Sequence, residues 1–128
     1  MANNLTTAEA NRLIDASVGT SAYTAPTGPM RAALVTANGS ASAAGTEVTG
    51  GSYARQTVAF TAASAGTTSN NSTVTFSGLP AATVVGVEVY DSAGTPRRCW
   101  WGALTVSKTV GAGDSITFPP GSLTVSLT

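Results

Sequence analysis

The first patterned segment of the chain predicts a short amphipathic helix. Thr6 and Glu9 have the spacing of a capping box, in which a threonine at the N-cap accepts from a backbone N–H of the first helical turn. Apolar residues continue along one side of this segment at Leu5, Ala10, Leu13 and Ile14. Gly19 is a typical helix end. We predict a helix over residues 7–18, and because a helix of this length is marginal alone in water, it must dock on a sheet or a neighbouring subunit.

From Tyr23 onward, apolar and polar residues alternate with a period of two, which predicts strands separated by turns rich in glycine, proline and serine. The positions predicted to face inward are Val58, Phe60, Val74, Phe76, Val85, Val87, Val89, Ile116, Phe118, Leu123, Val125 and Leu127. Seven candidate strands after one helix indicate a mainly β fold. We predict an antiparallel β-sandwich, jelly-roll or Ig-like, with one short N-terminal α-helix. The helical arm takes residues 1–22 and the β-sandwich domain takes residues 23–128.

One segment, from Gly94 to Leu104, gathers the only cysteine, both tryptophans and two adjacent arginines. Strand alternation places Cys99, Trp101 and Ala103 on one face and Arg98, Trp100 and Leu104 on the other. We predict that Trp101 packs inside beside Cys99. Trp100 is then exposed on the face of Arg98, a combination that is enriched at protein interfaces.

Composition narrows the classes of function. The chain has 128 residues, of which 9% are charged, with six basic and six acidic side chains and a net charge of zero. Nucleic acid is a poor partner because phosphate binding needs a basic surplus. Histidine is absent, cysteine occurs once and no spaced pair of acids stands out, so we expect no enzyme, no cofactor and no metal. Low charge at net zero suits a subunit that spends its life in an assembly.

No segment has the pattern of a membrane span or a secretory signal, so we expect synthesis in the host cytoplasm and no membrane partner. The predicted partner contacts lie on the helical arm and on the arginine–tryptophan edge: Leu5, Leu13, Ile14, Arg97, Arg98 and Trp100.

The order of several segments resembles a family of small virion structural proteins of tailed bacteriophages. The chain carries a GYARQ-like element at Gly51–Gln56, with serine in the second position. An aromatic-Gly-Ala-Leu segment follows at Trp101–Leu104, and Lys108-Thr109 and Gly113-Asp114 come after it. Proteins of this kind are labelled tail-fibre, minor tail or minor capsid proteins. The resemblance implies a structural role in the virion and no catalytic residues.

Two hypotheses follow from this resemblance. The first is a capsid decoration or minor capsid protein, which docks as a homo-oligomer on the outer face of the major capsid protein shell and reinforces it. The alternative is a tail-tip or tail-fibre component that binds a host-surface glycan through Trp100 with Arg97 or Arg98. A concave polar groove at Trp100 would favour the glycan, whereas a flat apolar patch would favour docking on other virion proteins.

Overall fold

The computed structural model describes residues 4–127 and contains one α-helix and ten short or medium β-strands in that range. The elements are β1 (Asn4–Leu5), α1 (Thr7–Ser17), β2 (Met30–Ala37), β3 (Thr46–Glu47), β4 (Gln56–Val58), β5 (Thr67–Ser69), β6 (Val74–Phe76), β7 (Ala82–Tyr90), β8 (Arg98–Val110), β9 (Ile116–Phe118) and β10 (Thr124–Ser126). The strands beyond the seven predicted are β1, β3 and β5, none of which contains two apolar residues that could show an alternating pattern.

The strands form three antiparallel sheets. The largest has the order β1-β8-β7-β2-β3, and β4 also pairs with β2. Two small sheets pair β5 with β10 and β6 with β9. One buried cluster joins Leu34, Val87 and Val89 of the large sheet to Phe76 and Phe118 of a small one. The prediction of a mainly β, antiparallel fold with one short helix is confirmed, and the apolar faces of the sheets pack together as in a sandwich.

Helix α1 begins as the sequence predicts. The Thr6 hydroxyl accepts from the Glu9 N–H at 3.3 Å, and the helix ends at Ser17, one residue before the predicted end. The reciprocal half of the capping box is absent, because the Thr6 N–H donates to the Cys99 carbonyl at 3.1 Å. The division into an arm over 1–22 and a domain over 23–128 stays a prediction, and residues 1–3 and 128 lie outside the described range.

Two irregularities in the β7–β8 pairing overturn parts of the predicted alternation. Val89 pairs with Trp100 and Tyr90 pairs with Arg98, so Cys99 is an extra residue. Such a bulge moves the residues on one side of it to the opposite face. A second register shift follows Val84.

The second shift places Val84 in the core and leaves Val85 only half-buried, so the inward prediction for Val85 is wrong. The inward prediction for Leu127 is also wrong, because this side chain lies just past the end of β10 and is 57% exposed.

Candidate functional site

The first of the two adjacent arginines holds the helix against the sheet. The Arg97 Nε lies 3.1 Å from Glu9 Oε1, and its Nη2 lies 3.1 Å from Glu9 Oε2. Arg97 also donates to the Thr24 carbonyl at 3.0 Å, and the Tyr23 hydroxyl donates to the Glu9 carboxylate. Partial burial, together with the contact to Glu9, raises the pKa of Tyr23 to about 12. The Arg97 side chain is therefore engaged within the chain.

The second arginine covers a buried carboxylate on the outer face of the large sheet. Arg98 Nη2 lies 2.7 Å from Glu88 Oε2, and Nη1 donates to the Ser40 carbonyl at 2.8 Å. Glu88 is 2% exposed and also accepts from the Gly45 N–H at 2.9 Å and the Tyr90 hydroxyl at 2.9 Å. The predicted contact residues Arg97 and Arg98 thus make intramolecular ion pairs.

The GYARQ-like element has a structural role on the same outer face of the large sheet. Arg55 binds Glu47 through two N–H donors, at 3.0 and 2.9 Å, and stacks 3.8 Å above the Tyr90 ring. Tyr53 donates to Glu47 at 2.7 Å, while its ring stacks on Phe76 in the core with centroids 6.0 Å apart. Burial of Glu47 opposes its ionisation, but the hydrogen bonds from Arg55 and Tyr53 outweigh burial and lower the Glu47 pKa.

The bulge at Cys99 reverses the predicted assignment of the two tryptophans. Trp100 packs against the core, and Trp101 lies on the outer face beside Arg98, whose guanidinium carbon is 6.0 Å from the ring. The Trp101 indole N–H donates to the Leu5 carbonyl at 3.3 Å. The prediction of Trp101 inside and Trp100 exposed is wrong. Cys99 is 1% exposed, and burial raises the pKa of its thiol, which disfavours a reactive thiolate.

Four of the predicted contact residues line one apolar surface. We call its first part the helix groove, a groove of about 410 Å³ lined by Leu5, Ala10, Leu13, Ile14, Ser17 and Leu127. We call its second part the Trp100 pocket, about 210 Å³ in volume and lined by Ala63, Gly66, Thr67, Thr68, Trp100, Val125 and Leu127. Leu127 belongs to both and connects them. Sequence reasoning missed Leu127 as a surface residue because its alternation matched a core position.

Arg97 and Arg98 line a different cavity. This cleft of about 520 Å³ is lined by Thr6, Thr7, Ala8, Asn11, Arg12, Ala41, Ser42, Ala44, Arg97 and Arg98. The structure therefore separates the two arginines from the apolar surface that holds Trp100. Within residues 4–127, no cluster of three or more histidine, cysteine, aspartate or glutamate side chains could hold a metal ion. No helix in this described range is long and apolar enough to cross a membrane.

Residues 4–126 match a protein family described as podophage GP4 fiber I protein gp80. The chain belongs to this family. The match covers nearly the whole sequence and confirms the resemblance to virion structural proteins of tailed phages. Membership of this fibre protein family makes the chain a fibre-related structural protein of a phage particle, and it supports the tail-fibre hypothesis better than capsid decoration. No curated protein matches the sequence significantly.

Proposed function

We propose that the chain is a non-enzymatic structural subunit of a podophage fibre, which attaches to neighbouring fibre protein through the helix groove and the Trp100 pocket. The observation that carries this proposal is the continuous apolar surface that joins the two at Leu127, in a chain that belongs to a fibre protein family. Burial of such a surface stabilises an assembly by about 25 cal/mol for each Å² of apolar area removed from water.

The character of this surface favours a protein partner over a sugar. No charged side chain lines the helix groove or the Trp100 pocket, and the hydroxyls come only from Ser17, Thr67 and Thr68. A saccharide site needs several convergent polar groups to orient the ligand, and the arginines that could have supplied them bind Glu9 and Glu88 instead. Glycan binding by Trp100 with Arg97 or Arg98 therefore has weaker support than protein docking.

Little of the positive charge is free to meet nucleic acid, since four of the six cations pair with carboxylates inside the chain: Arg12, Arg55, Arg97 and Arg98. The fibre description of the family favours a position on a fibre over a position on the outer capsid shell. Major capsid protein is accordingly a less favoured partner than another fibre chain.

The test is a cryo-EM reconstruction of phage that carries this chain as wild type or as the Ile14→Glu variant. We expect wild-type density in a fibre and its loss in the variant, because Ile14 is 58% exposed and a charge there would be buried on docking. Ala59→Glu is the matched control, since Ala59 is exposed and lines neither part of the surface. Density repeated over the shell, or fibre density that survives Ile14→Glu, would contradict the proposal.

A further inference from the structure

Nearly every carboxylate in the described chain is satisfied internally. Glu9, Glu47 and Glu88 are in ion pairs, Asp91 accepts from three backbone N–H groups, and Asp114 accepts from the Gly111 N–H at 2.8 Å. Asp15 is the exception, because no cation or N–H donor within residues 4–127 meets its side chain.

The cations show a similar pattern. Outside the four paired arginines, Arg31 donates to the Ser92 hydroxyl at 3.1 Å, and Lys108 has no carboxylate partner in the described part of the chain. The Lys108 ammonium lies 5.5 Å from the centre of the Phe118 ring. Asp15 and Lys108 are therefore opposite charges that are each available to a partner.

Each of these charges adjoins exposed apolar side chains. Asp15 lies in the last turns of α1 between Ile14 and the C-cap Val18, which are 58% and 69% exposed. We call Ile14, Asp15 and Val18 the helix ridge. Lys108 lines a groove of about 230 Å³ with Leu104, Thr105, Val106, Thr117, Phe118, Pro119 and Ser122, and Val106 is 73% exposed. We call it the Lys108 groove.

The Lys108 groove shares no residue with the helix ridge or with the helix groove. Leu5, in the helix groove beside the ridge, pairs with Trp100 near the start of β8, and Lys108 lies eight residues further along that strand. A rise of about 3.3 Å per residue places Lys108 up to about 26 Å along the strand from the position that pairs with Leu5. Because the helix ridge and the Lys108 groove do not overlap, one copy can use both surfaces at the same time.

We propose that copies of this chain associate head to tail, with the helix ridge of one copy seated in the Lys108 groove of the next. Ile14 and Val18 would cover Val106, and Asp15 would form an ion pair with Lys108. Zero net charge removes the general repulsion between copies. A heterologous contact of this kind leaves one surface free at each end, so it builds rings or filaments. The inference rests on the proposed function, because it names a second copy as the fibre partner.

Charge reversal in the purified full chain tests this contact by sedimentation velocity over a range of concentrations. We expect wild type to exceed the 12.6 kDa mass of one copy as concentration rises. Asp15→Lys and Lys108→Glu should each weaken association in low salt by about threefold to tenfold, since each places like charges at every contact. The double variant should restore association, because it reverses the pair. Arg31→Glu is the matched control and should leave association unchanged.

Two further variants, Ile14→Glu and Val106→Glu, should each abolish association. Far-ultraviolet circular dichroism and a thermal melt check that every variant is folded. A wild type that stays monomeric, single reversals without effect, or a double variant that fails to recover would overturn the proposal. Sensitivity to Asp15 alone would also overturn it, since that result indicates a two-fold contact between helix ridges. None of these results would contradict the proposed location of the chain in a fibre, because cryo-EM tests that location separately.

Discussion

Glu9 on the first turn of α1 and Arg97 immediately before β8 form an ion pair, with Arg97 Nε 3.1 Å from Glu9 Oε1. Glu9 is 2% exposed, and the Arg97 side chain is 17% exposed. This pair, with Tyr23 bound to the same carboxylate, fastens the helix and the segment that follows it to the sheet. These contacts set how the helix surface lies relative to the sheet.

Glu9→Gln should lower the free energy of unfolding by about 2–4 kcal/mol, because it leaves the Arg97 charge largely buried without its carboxylate. Urea denaturation measures this loss. Arg12→Gln is the control, because the Arg12 side chain is 40% exposed and binds the same carboxylate from one helical turn away. This variant should lower the free energy of unfolding by less than about 0.5 kcal/mol. Equal losses in the two variants would contradict the role assigned to Arg97.

The tryptophans should differ in their effect on stability. Trp100→Ala removes a side chain packed against the core and should cost about 2–3 kcal/mol, while Trp101→Ala removes one hydrogen bond and an outer-face contact, at about 1 kcal/mol. Thermal melts of both variants measure the difference. A larger loss for Trp101→Ala would show that the bulge at Cys99 does not set these faces.

Tyr23 should make the fold sensitive to alkaline pH. Its pKa in the folded chain is raised to about 12 from 10.0, so the neutral form is favoured on folding. The contribution of Tyr23 to the free energy of unfolding is fully present below pH 10 and is lost as pH rises toward 12. Tyr53 and Tyr90 also have raised pKa values and add to the alkaline loss of stability. The Tyr23→Phe variant therefore isolates the share that comes from Tyr23. Urea denaturation at several alkaline pH values should show a smaller decline in Tyr23→Phe than in wild type.

Asp91 should make the fold sensitive to acid. Burial opposes its ionisation, but N–H donors from Arg97 at 2.7 Å, Thr27 at 3.1 Å and Ala93 at 3.3 Å outweigh burial and lower its pKa. The contribution of Asp91 to the free energy of unfolding is present above the ordinary aspartate pKa and is lost as pH falls through the lowered pKa of Asp91.

Asp91→Asn should therefore cost about 1.5–3 kcal/mol at neutral pH and reduce the loss of stability in acid. Denaturation at neutral and acidic pH measures both effects. Asp114→Asn provides the comparison, because Asp114 is exposed and accepts one N–H, from Gly111. If both aspartates gave the same acid dependence, the three N–H donors would not be the cause.

Local patterns in the sequence were enough to predict the helix and many of the core positions. The Thr6 cap acts on a residue three positions away, and Val74, Phe76, Ile116 and Phe118 alternate within single strands. These features depend on neighbours in the chain, so periodicity and capping chemistry reveal them. The same patterns predicted the apolar contact residues Leu5, Leu13 and Ile14, which the structure brings into one groove.

The faces of β8 and the partners of its arginines depend on contacts between distant segments. The pairing of β8 with β7 decides where Cys99 is extruded, and that extra residue carries Trp100 inward and Trp101 outward. Arg97 meets Glu9 across 88 positions of sequence. Alternation within one strand contains no information about a bulge imposed by its neighbour, and residue type alone does not choose among distant carboxylates. Tertiary packing decides both, because only the folded sheet brings these groups within reach.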